Sequence, residues 1–155
     1  MSRWGQIPGM RTLLIVLGLA ASAAGARAQP PEALERSLQR VVSEYTGLYT
    51  KDSLSRWREL FLPTFTSASI AADSTVALRR LDEFYSAQER AFSSAKKMGE
   101  RLENVRIERR GRLATVWADF VYWYDDNERR GRLVLTAIYQ RGNWRFASLM
   151  FSYYD

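Results

Sequence analysis

The sequence predicts an α+β fold of three helices followed by an antiparallel sheet. Two observations predict it. Apolar residues before Gly99 recur at intervals of three and four, as on one face of a helix, whereas those after Gly99 alternate with polar residues, as along a strand. Helices followed by a meander of strands are typical of α+β domains. A chain of this length forms one domain.

An acidic turn separates the first two predicted helices. Proline is tolerated in the first turn of a helix, so Pro30 and Pro31 mark the start of the first one. Asp52 and Ser53 are typical of a turn and N-cap before a shorter second helix, which Pro63 ends. The residues expected to be buried are Leu34, Leu38, Val41, Val42, Tyr45, Leu48 and Tyr49 in the first helix and Leu54, Trp57, Leu60 and Phe61 in the second.

A third helix follows a short connection. Residues 66–72 are mostly small, and we interpret them as a loop with at most a brief edge strand. Asp73 and Ser74 can cap the third helix, and Gly99 can end it. Its apolar face comprises Leu78, Leu81, Tyr85, Gln88, Phe92 and Ala95.

The rest of the chain reads as strands and turns. Val105 and Ile107 alternate with polar residues, which predicts a strand, and residues 110–111 predict a tight turn. The further strands are expected at 113–124, 132–140 and 144–153, with a polar hairpin loop at 125–131 and a turn at 141–143.

The strand at 113–124 is apolar on both of its faces. A sheet that packs on one face alternates cleanly between apolar and polar residues. Here Phe120 lies on one face, and Trp117 and Val121 lie on the other. We therefore expect both faces to be covered, one by the helices and the other by the concavity of a curved sheet or by a second subunit.

The N-terminus has the three parts of a secretory signal peptide. Arg3 and Arg11 form a positive leader, residues 13–24 are almost entirely apolar, and residues 26–28 (Ala-Arg-Ala) form a cleavage site before Gln29. A membrane span needs about 20 apolar residues, so this run is too short. The sequence predicts a signal peptide at 1–28, a domain at 29–155 without a membrane span, and export to the periplasm or the medium.

The composition excludes several kinds of site. The chain has no histidine and no cysteine, which removes Ser-His-Asp and Cys-His catalysis and most zinc, copper and non-haem iron sites. We expect no metal site and no cofactor. The net charge is +6, of which the leader contributes three arginines and no acids, so the exported domain carries only +3. Such a mild charge predicts no nucleic-acid binding.

Three segments carry a resemblance to a known family. Residues 45–54 (YTGLYTKDSL), 60–63 (LFLP) and 142–146 (GNWRF) follow the order and spacing of the NTF2-like superfamily, and the whole chain resembles its SnoaL-like, ketosteroid-isomerase-like branch. The resemblance implies three helices packed on a strongly bent, cone-shaped antiparallel sheet, and it implies a homodimer.

Two departures bear on function. Leu135 and Thr136 stand where the isomerases of this superfamily place a protonated aspartate, and Ser148 and Met150 stand where many relatives carry histidines. At these positions the chain therefore lacks residues that the isomerases and many relatives of this superfamily carry.

Asp119 is the candidate catalytic residue. It lies in the middle of the long strand between Trp117 and Val121 of the same face. If it is buried inside the cone, its pKa rises, which suits a general acid. If that face is partly open, Asp119 pairs with an arginine of a neighbouring strand instead.

Aromatic residues are the candidate lining of a ligand cavity, with ordinary core packing as the alternative. Arginines flank the turns at 109–112 and 129–132, and we interpret these turns as solvated, with an anion site as the alternative. The candidate ligand-binding residues are Tyr45, Tyr49, Trp57, Tyr85, Trp117, Tyr122, Trp123 and Ser148.

Three functions remain open at this point. The first is an exported, non-catalytic domain that binds a small, largely apolar ligand or a partner in its cone. The second is a small isomerase, cyclase or hydratase-like enzyme that uses Asp119 as acid or base with a tyrosine donor. The third is a structural dimer module whose cone is filled by its own side chains.

Overall fold

A computed structural model describes residues 30–71 and 73–154. The predicted signal peptide, residues 1–28, lies outside the described residues. Within them, no helix is long and apolar enough to cross a membrane.

Three helices form one layer of the fold. Helix α1 spans Pro31–Gly47, a single 3₁₀ turn spans Lys51–Ser53, helix α2 spans Leu54–Arg58 and helix α3 spans Leu81–Ser94. Proline occupies the first turn of α1, and the acidic turn precedes α2, as the sequence predicts.

A six-stranded sheet forms the second layer. Its strands are β1 (Phe61–Ile70), β2 (Val76–Arg80), β3 (Met98–Arg110), β4 (Leu113–Tyr124), β5 (Asn127–Gln140) and β6 (Asn143–Tyr153). Their order is β2-β1-β6-β5-β4-β3. The α+β prediction is confirmed, but the sheet is mixed because β1 runs parallel to β6.

Strand β1 corrects the prediction for residues 61–70. The sequence placed Phe61 in the second helix and a loop at 66–72, whereas the helix ends at Arg58 and ten residues form a strand. Pro63 is tolerated there because the pairing between β1 and β6 is irregular between Phe61 and Thr66.

The third helix also begins and ends elsewhere than predicted. The Asp73 carboxylate accepts a hydrogen bond from the Thr75 amide and so caps a turn, and Val76–Arg80 pairs with β1 as strand β2. Helix α3 then begins at Leu81, where the Glu83 carboxylate accepts a hydrogen bond from the Arg80 amide. It ends at Ser94 because the Asp125 carboxylate accepts hydrogen bonds from the amides of residues 96 and 97.

Consequently the strands of the meander are longer than predicted. Strand β3 begins at Met98, seven residues before Val105. The loop expected at 125–131 is reduced to two residues, because Tyr124 already pairs with Asn127.

The core lies between the helices and one face of the sheet, which we call the inner face. Val116, Ala118 and Phe120 of β4 are all buried on it. Trp57 of α2 is 1% exposed and donates from its ring nitrogen to the Tyr45 carbonyl oxygen at 2.8 Å, which ties α2 to α1. The opposite, outer face of β4 carries Trp117, which is 43% exposed, and Val121, which is 1% exposed, so the described chain covers that face only in part.

Candidate functional site

A cavity of about 210 Å³ lies between the helices and the inner face of the sheet. Its wall is mainly aromatic and aliphatic, with one carboxyl, one amide and one guanidinium group. The lining residues are Tyr45, Tyr49, Trp57, Arg79, Phe84, Ala87, Gln88, Ala91, Glu100, Phe120, Tyr122, Leu133, Leu149, Phe151 and Tyr153.

The spacing of the lining residues follows from the elements that carry them. Tyr45 and Tyr49 are four residues apart and share one face of α1, as do Ala87 and Ala91 of α3. Along β4 and β6 every second residue faces the cavity, and β3 contributes Glu100. The space beside α3 remains unfilled because the side chains at residues 87 and 91 are only methyl groups.

Glu100 of β3 is the one carboxylic acid in the cavity wall. Its backbone pairs with Tyr122 of β4, and its side chain hydrogen-bonds with the Tyr45 hydroxyl. The other carboxyl oxygen, Oε1, is shielded from solvent and has no hydrogen-bond partner among the described residues. Part of the Glu100 residue reaches the surface, but the carboxyl end does not.

Burial raises the pKa of the Glu100 carboxyl to about 7, against an ordinary value of 4.5. The hydrogen bond from Tyr45 opposes this rise and only partly offsets it. Near neutral pH the carboxyl is therefore present in both forms. The protonated form can donate a hydrogen bond to a ligand, and the ionised form can accept one or take a proton.

The tyrosines around Glu100 remain protonated at neutral pH. Burial raises the pKa values of Tyr45 and Tyr49 well above 10, and that of Tyr122 to about 12. The Tyr49 hydroxyl donates to the side-chain oxygen of Gln88 at 2.5 Å. The site thus combines hydroxyl donors with one carboxyl of variable protonation, inside an apolar wall.

Asp119 does not lie inside the cavity, so the hypothesis that made it the catalytic residue is wrong. It lies on the outer face of β4, and it accepts hydrogen bonds from Arg132 Nε at 3.1 Å, Asn104 Nδ2 at 2.8 Å and the Tyr154 hydroxyl at 2.5 Å. These bonds, led by that from Tyr154, lower the pKa of Asp119 to about 2 rather than raising it. The alternative made from the sequence, an ion pair with an arginine of the neighbouring strand, describes the observed Asp119–Arg132 pair.

Of the predicted ligand-binding residues, Tyr45, Tyr49, Trp57 and Tyr122 meet at the cavity. The others lie elsewhere. Trp117 is exposed on the outer face, and the Ser148 hydroxyl is bonded to that of Thr136 at 2.6 Å. Trp123 contacts Gly99 of β3, so a side chain added there would collide with its ring, and Tyr85 packs beneath the guanidinium of Arg58 at 4.9 Å.

Glu100 was missed because the start of its strand was set too late. Once β3 begins at Met98, the residues Met98, Glu100 and Leu102 alternate onto one face. An acid between two apolar residues of one face is the signal that singled out Asp119, and it applies equally here. The sequence of β4 does not indicate which of its faces is the inner one, because both faces are apolar.

No group of three or more acidic, histidine or cysteine side chains within residues 30–71 and 73–154 is arranged to hold a metal ion.

A family model, described as a SnoaL-like domain, matches residues 38–155. The chain belongs to the SnoaL-like domain family. The resemblance seen in the sequence is therefore confirmed at the level of the family. No curated protein matches the chain.

Solved structures share the fold at low sequence identity. An NTF2-like protein of unknown function from Shewanella baltica OS155 is 14% identical, with 82% of this chain and 98% of that chain covered and a TM-score of 0.64. A protein from Novosphingobium aromaticivorans DSM 12444, described as a candidate scytalone dehydratase, is 15% identical, with 80% and 86% covered and a TM-score of 0.64. An NTF2-like protein with a cystatin-like fold from Novosphingobium aromaticivorans is 14% identical, with 80% and 85% covered and a TM-score of 0.62. These likenesses concern the fold alone.

The raised pKa of Glu100 predicts a pH-dependent stability. Between about pH 4.5 and about pH 7 the folded protein retains a proton that the unfolded chain has lost, so the free energy of unfolding falls as pH rises through this range. The fall is on the order of 2 to 3 kcal/mol. Glu100→Gln removes the titrating group and reduces this fall, which urea unfolding at about pH 5 and about pH 8 measures.

This pH range suits the measurement because the chain has no histidine that would titrate within it. Glu59→Gln, a change at an exposed glutamate, is the matched control and should keep the pH dependence of the wild type. An equal pH dependence in wild type and Glu100→Gln would contradict the assignment of a buried, proton-binding carboxyl.

Proposed function

We propose that this SnoaL-like protein is an exported domain that binds one small, largely apolar ring compound in its cavity, with Glu100 hydrogen-bonding to the polar group of the ligand. One observation carries the proposal. Glu100, whose Oε1 has no hydrogen-bond partner among the described residues, lines a cavity that is surrounded largely by aromatic side chains. Buried polar groups are nearly always hydrogen-bonded, so this oxygen is suited to a partner that the ligand supplies.

The size of the cavity favours one or two fused rings. An apolar cavity of about 150 Å³ holds benzene, and the present cavity is about 210 Å³. Its existence is also evidence against the third function considered from the sequence, in which the cone is filled by its own side chains.

The predicted cleavage before Gln29 removes no helix or strand of the described domain.

The first test uses 2-naphthol, which has two fused rings and one hydroxyl group. We expect it to bind the wild-type protein in calorimetric titration. Ala91→Phe places a ring in the space left by the small residues of α3 and should abolish binding while the melting temperature remains similar.

Ser93→Phe is the matched control, because Ser93 is an exposed residue of the same helix. It should bind 2-naphthol as the wild type does. Equal binding by wild type and Ala91→Phe would place the ligand outside the cavity and contradict the proposal.

A second candidate function is general acid–base catalysis by Glu100, in place of Asp119. The specific observation is a carboxyl with a pKa of about 7 among tyrosine donors. The ionised carboxyl would take the proton from a carbon next to a ring carbonyl while a tyrosine hydroxyl donates to the carbonyl oxygen. The proton would then return to the same carbon or to a conjugated one, as in an isomerisation.

Hydrogen–deuterium exchange at the α-carbons of 2-tetralone tests this candidate. In deuterated buffer, the wild-type protein should accelerate the exchange seen by NMR, and Glu100→Gln should not, although it still binds the ketone. If saturating wild-type protein leaves the exchange rate at that of buffer, the non-catalytic function is favoured.

We also propose that the outer face of the sheet forms a homodimer. Five residues in register make an apolar row across it: Leu78, Ala68, Met150, Val134 and Trp117. The exposed fractions of Leu78, Met150 and Trp117 are 73%, 51% and 43%. Contiguous exposed apolar surface of this kind marks an interface, and a second copy presents the same row.

Light scattering of the wild-type protein and of the double variant Trp117→Lys, Met150→Lys tests the dimer. We expect a dimer mass for the wild type and a monomer mass for the variant, because two lysines would be buried without partners in the interface. Ser93→Lys adds a charge on the helical side and should leave the dimer intact. A monomeric wild type at micromolar concentration would contradict the proposal.

A further inference from the structure

A second hollow lies next to the inner cavity and shares part of its wall. This hollow, which we call the vestibule, has a volume of about 340 Å³ and is formed by the ends of β1 and β6 together with Arg79 and Arg129. Arg79, Phe151 and Tyr153 line both the cavity and the vestibule. The cavity and the vestibule are therefore neighbours that share the side chains of three residues.

The vestibule is basic. Among the described residues that line it there is no carboxylate, and neither Arg79 nor Arg129 forms an ion pair or side-chain hydrogen bond with any of the described residues. The neighbouring Arg130 differs, because it pairs with Glu103 and Glu128. Two guanidinium groups without acidic partners among the described residues thus lie beside a cavity lined largely by aromatic side chains.

Arg129 is held in place although it has no acidic partner in the part of the chain that the structure describes. Its guanidinium carbon lies 3.5 Å from the centre of the Tyr153 ring, in a cation–π contact. This stacking occupies a face of the planar guanidinium and leaves the N–H groups at its edge available. Carboxylates bind to that edge with two parallel hydrogen bonds.

We propose that the vestibule is an anion subsite, and that the ligand is an amphipathic ring acid whose rings fill the cavity while its carboxylate binds Arg79 and Arg129. This inference rests on the proposed function and extends it. The two ends of the site then recognise different groups: the buried Glu100 end takes a hydroxyl or carbonyl group, and the arginine end takes a negative charge. The apolar stretch between them, which includes Phe151 and Tyr153, takes the ring system.

The test compares two probes that share one ring system. They are 2-naphthol, which is neutral, and 6-hydroxy-2-naphthoate, which adds a carboxylate on the far side of the rings from the hydroxyl. Both are titrated by calorimetry at low salt with the wild-type protein and with the double variant Arg79→Gln, Arg129→Gln. Because both arginines are exposed, the melting temperature of the variant should match that of the wild type.

We expect the wild type to bind the naphthoate about tenfold more tightly than the naphthol, a factor within the range of a charge-assisted hydrogen bond. The double variant should lose this preference, which is measured as the ratio of the two affinities within each protein because Arg79 also lines the cavity, and added salt should weaken only the naphthoate. Arg40→Gln, at an exposed arginine of α1, is the control and should keep the preference.

The outcomes separate the two proposals. Binding of naphthol without any preference for the naphthoate overturns the anion subsite and leaves the proposed function standing. A preference that survives in the double variant also overturns the subsite. If neither probe binds, the proposed function fails, and the inference fails with it.

Discussion

The constraint on which the site depends is a carboxyl group buried without a cationic partner. Ionising the Glu100 carboxyl inside an apolar wall costs free energy, and a single hydrogen bond from Tyr45 only partly offsets that cost. A protein that needed only stability would be better served by an apolar residue at this position. The arrangement is understandable if the carboxyl binds a ligand, since a hydrogen-bonding group of the folded protein then remains available to that ligand.

Two carboxyls on neighbouring strands show how strongly the face of a strand decides the chemistry. Asp119 lies on the outer face, where three hydrogen bonds lower its pKa to about 2, whereas Glu100 lies on the inner face, where burial raises its pKa to about 7. Both are acids within strands, and each lies between apolar residues of its own face. A register shift of one residue in either strand would move the acid of that strand to the other face, because side chains alternate between faces.

The alternation of side chains between faces also explains which parts of the structure could be predicted from the sequence. The fold class, the helix α1 and the acidic turn before α2 were predictable, because each depends on local periodicity and capping. Strand β1 was not, because Pro63 ordinarily argues against a strand and is tolerated here only by an irregular ladder with β6. The site was half predictable: the tyrosines of α1 follow from helical spacing, but Glu100 required the true start of β3, which depends on the Asp125 contacts that end the preceding helix.

If both proposals hold, the two faces of the sheet have separate roles, one in recognition of a ligand and the other in assembly. The inner face carries the cavity, and its depth is preserved because α3 contributes alanines where larger residues would close it. The outer face carries the apolar row that includes Trp117 and Met150, and polar contacts such as Asp119–Arg132 lie beside that row. Since adjacent residues of β4 point in opposite directions, a dimer formed on the outer face leaves the cavity and its arginine-lined vestibule accessible. Each subunit can then bind its ligand without dissociation, so binding and assembly need not compete for the same residues.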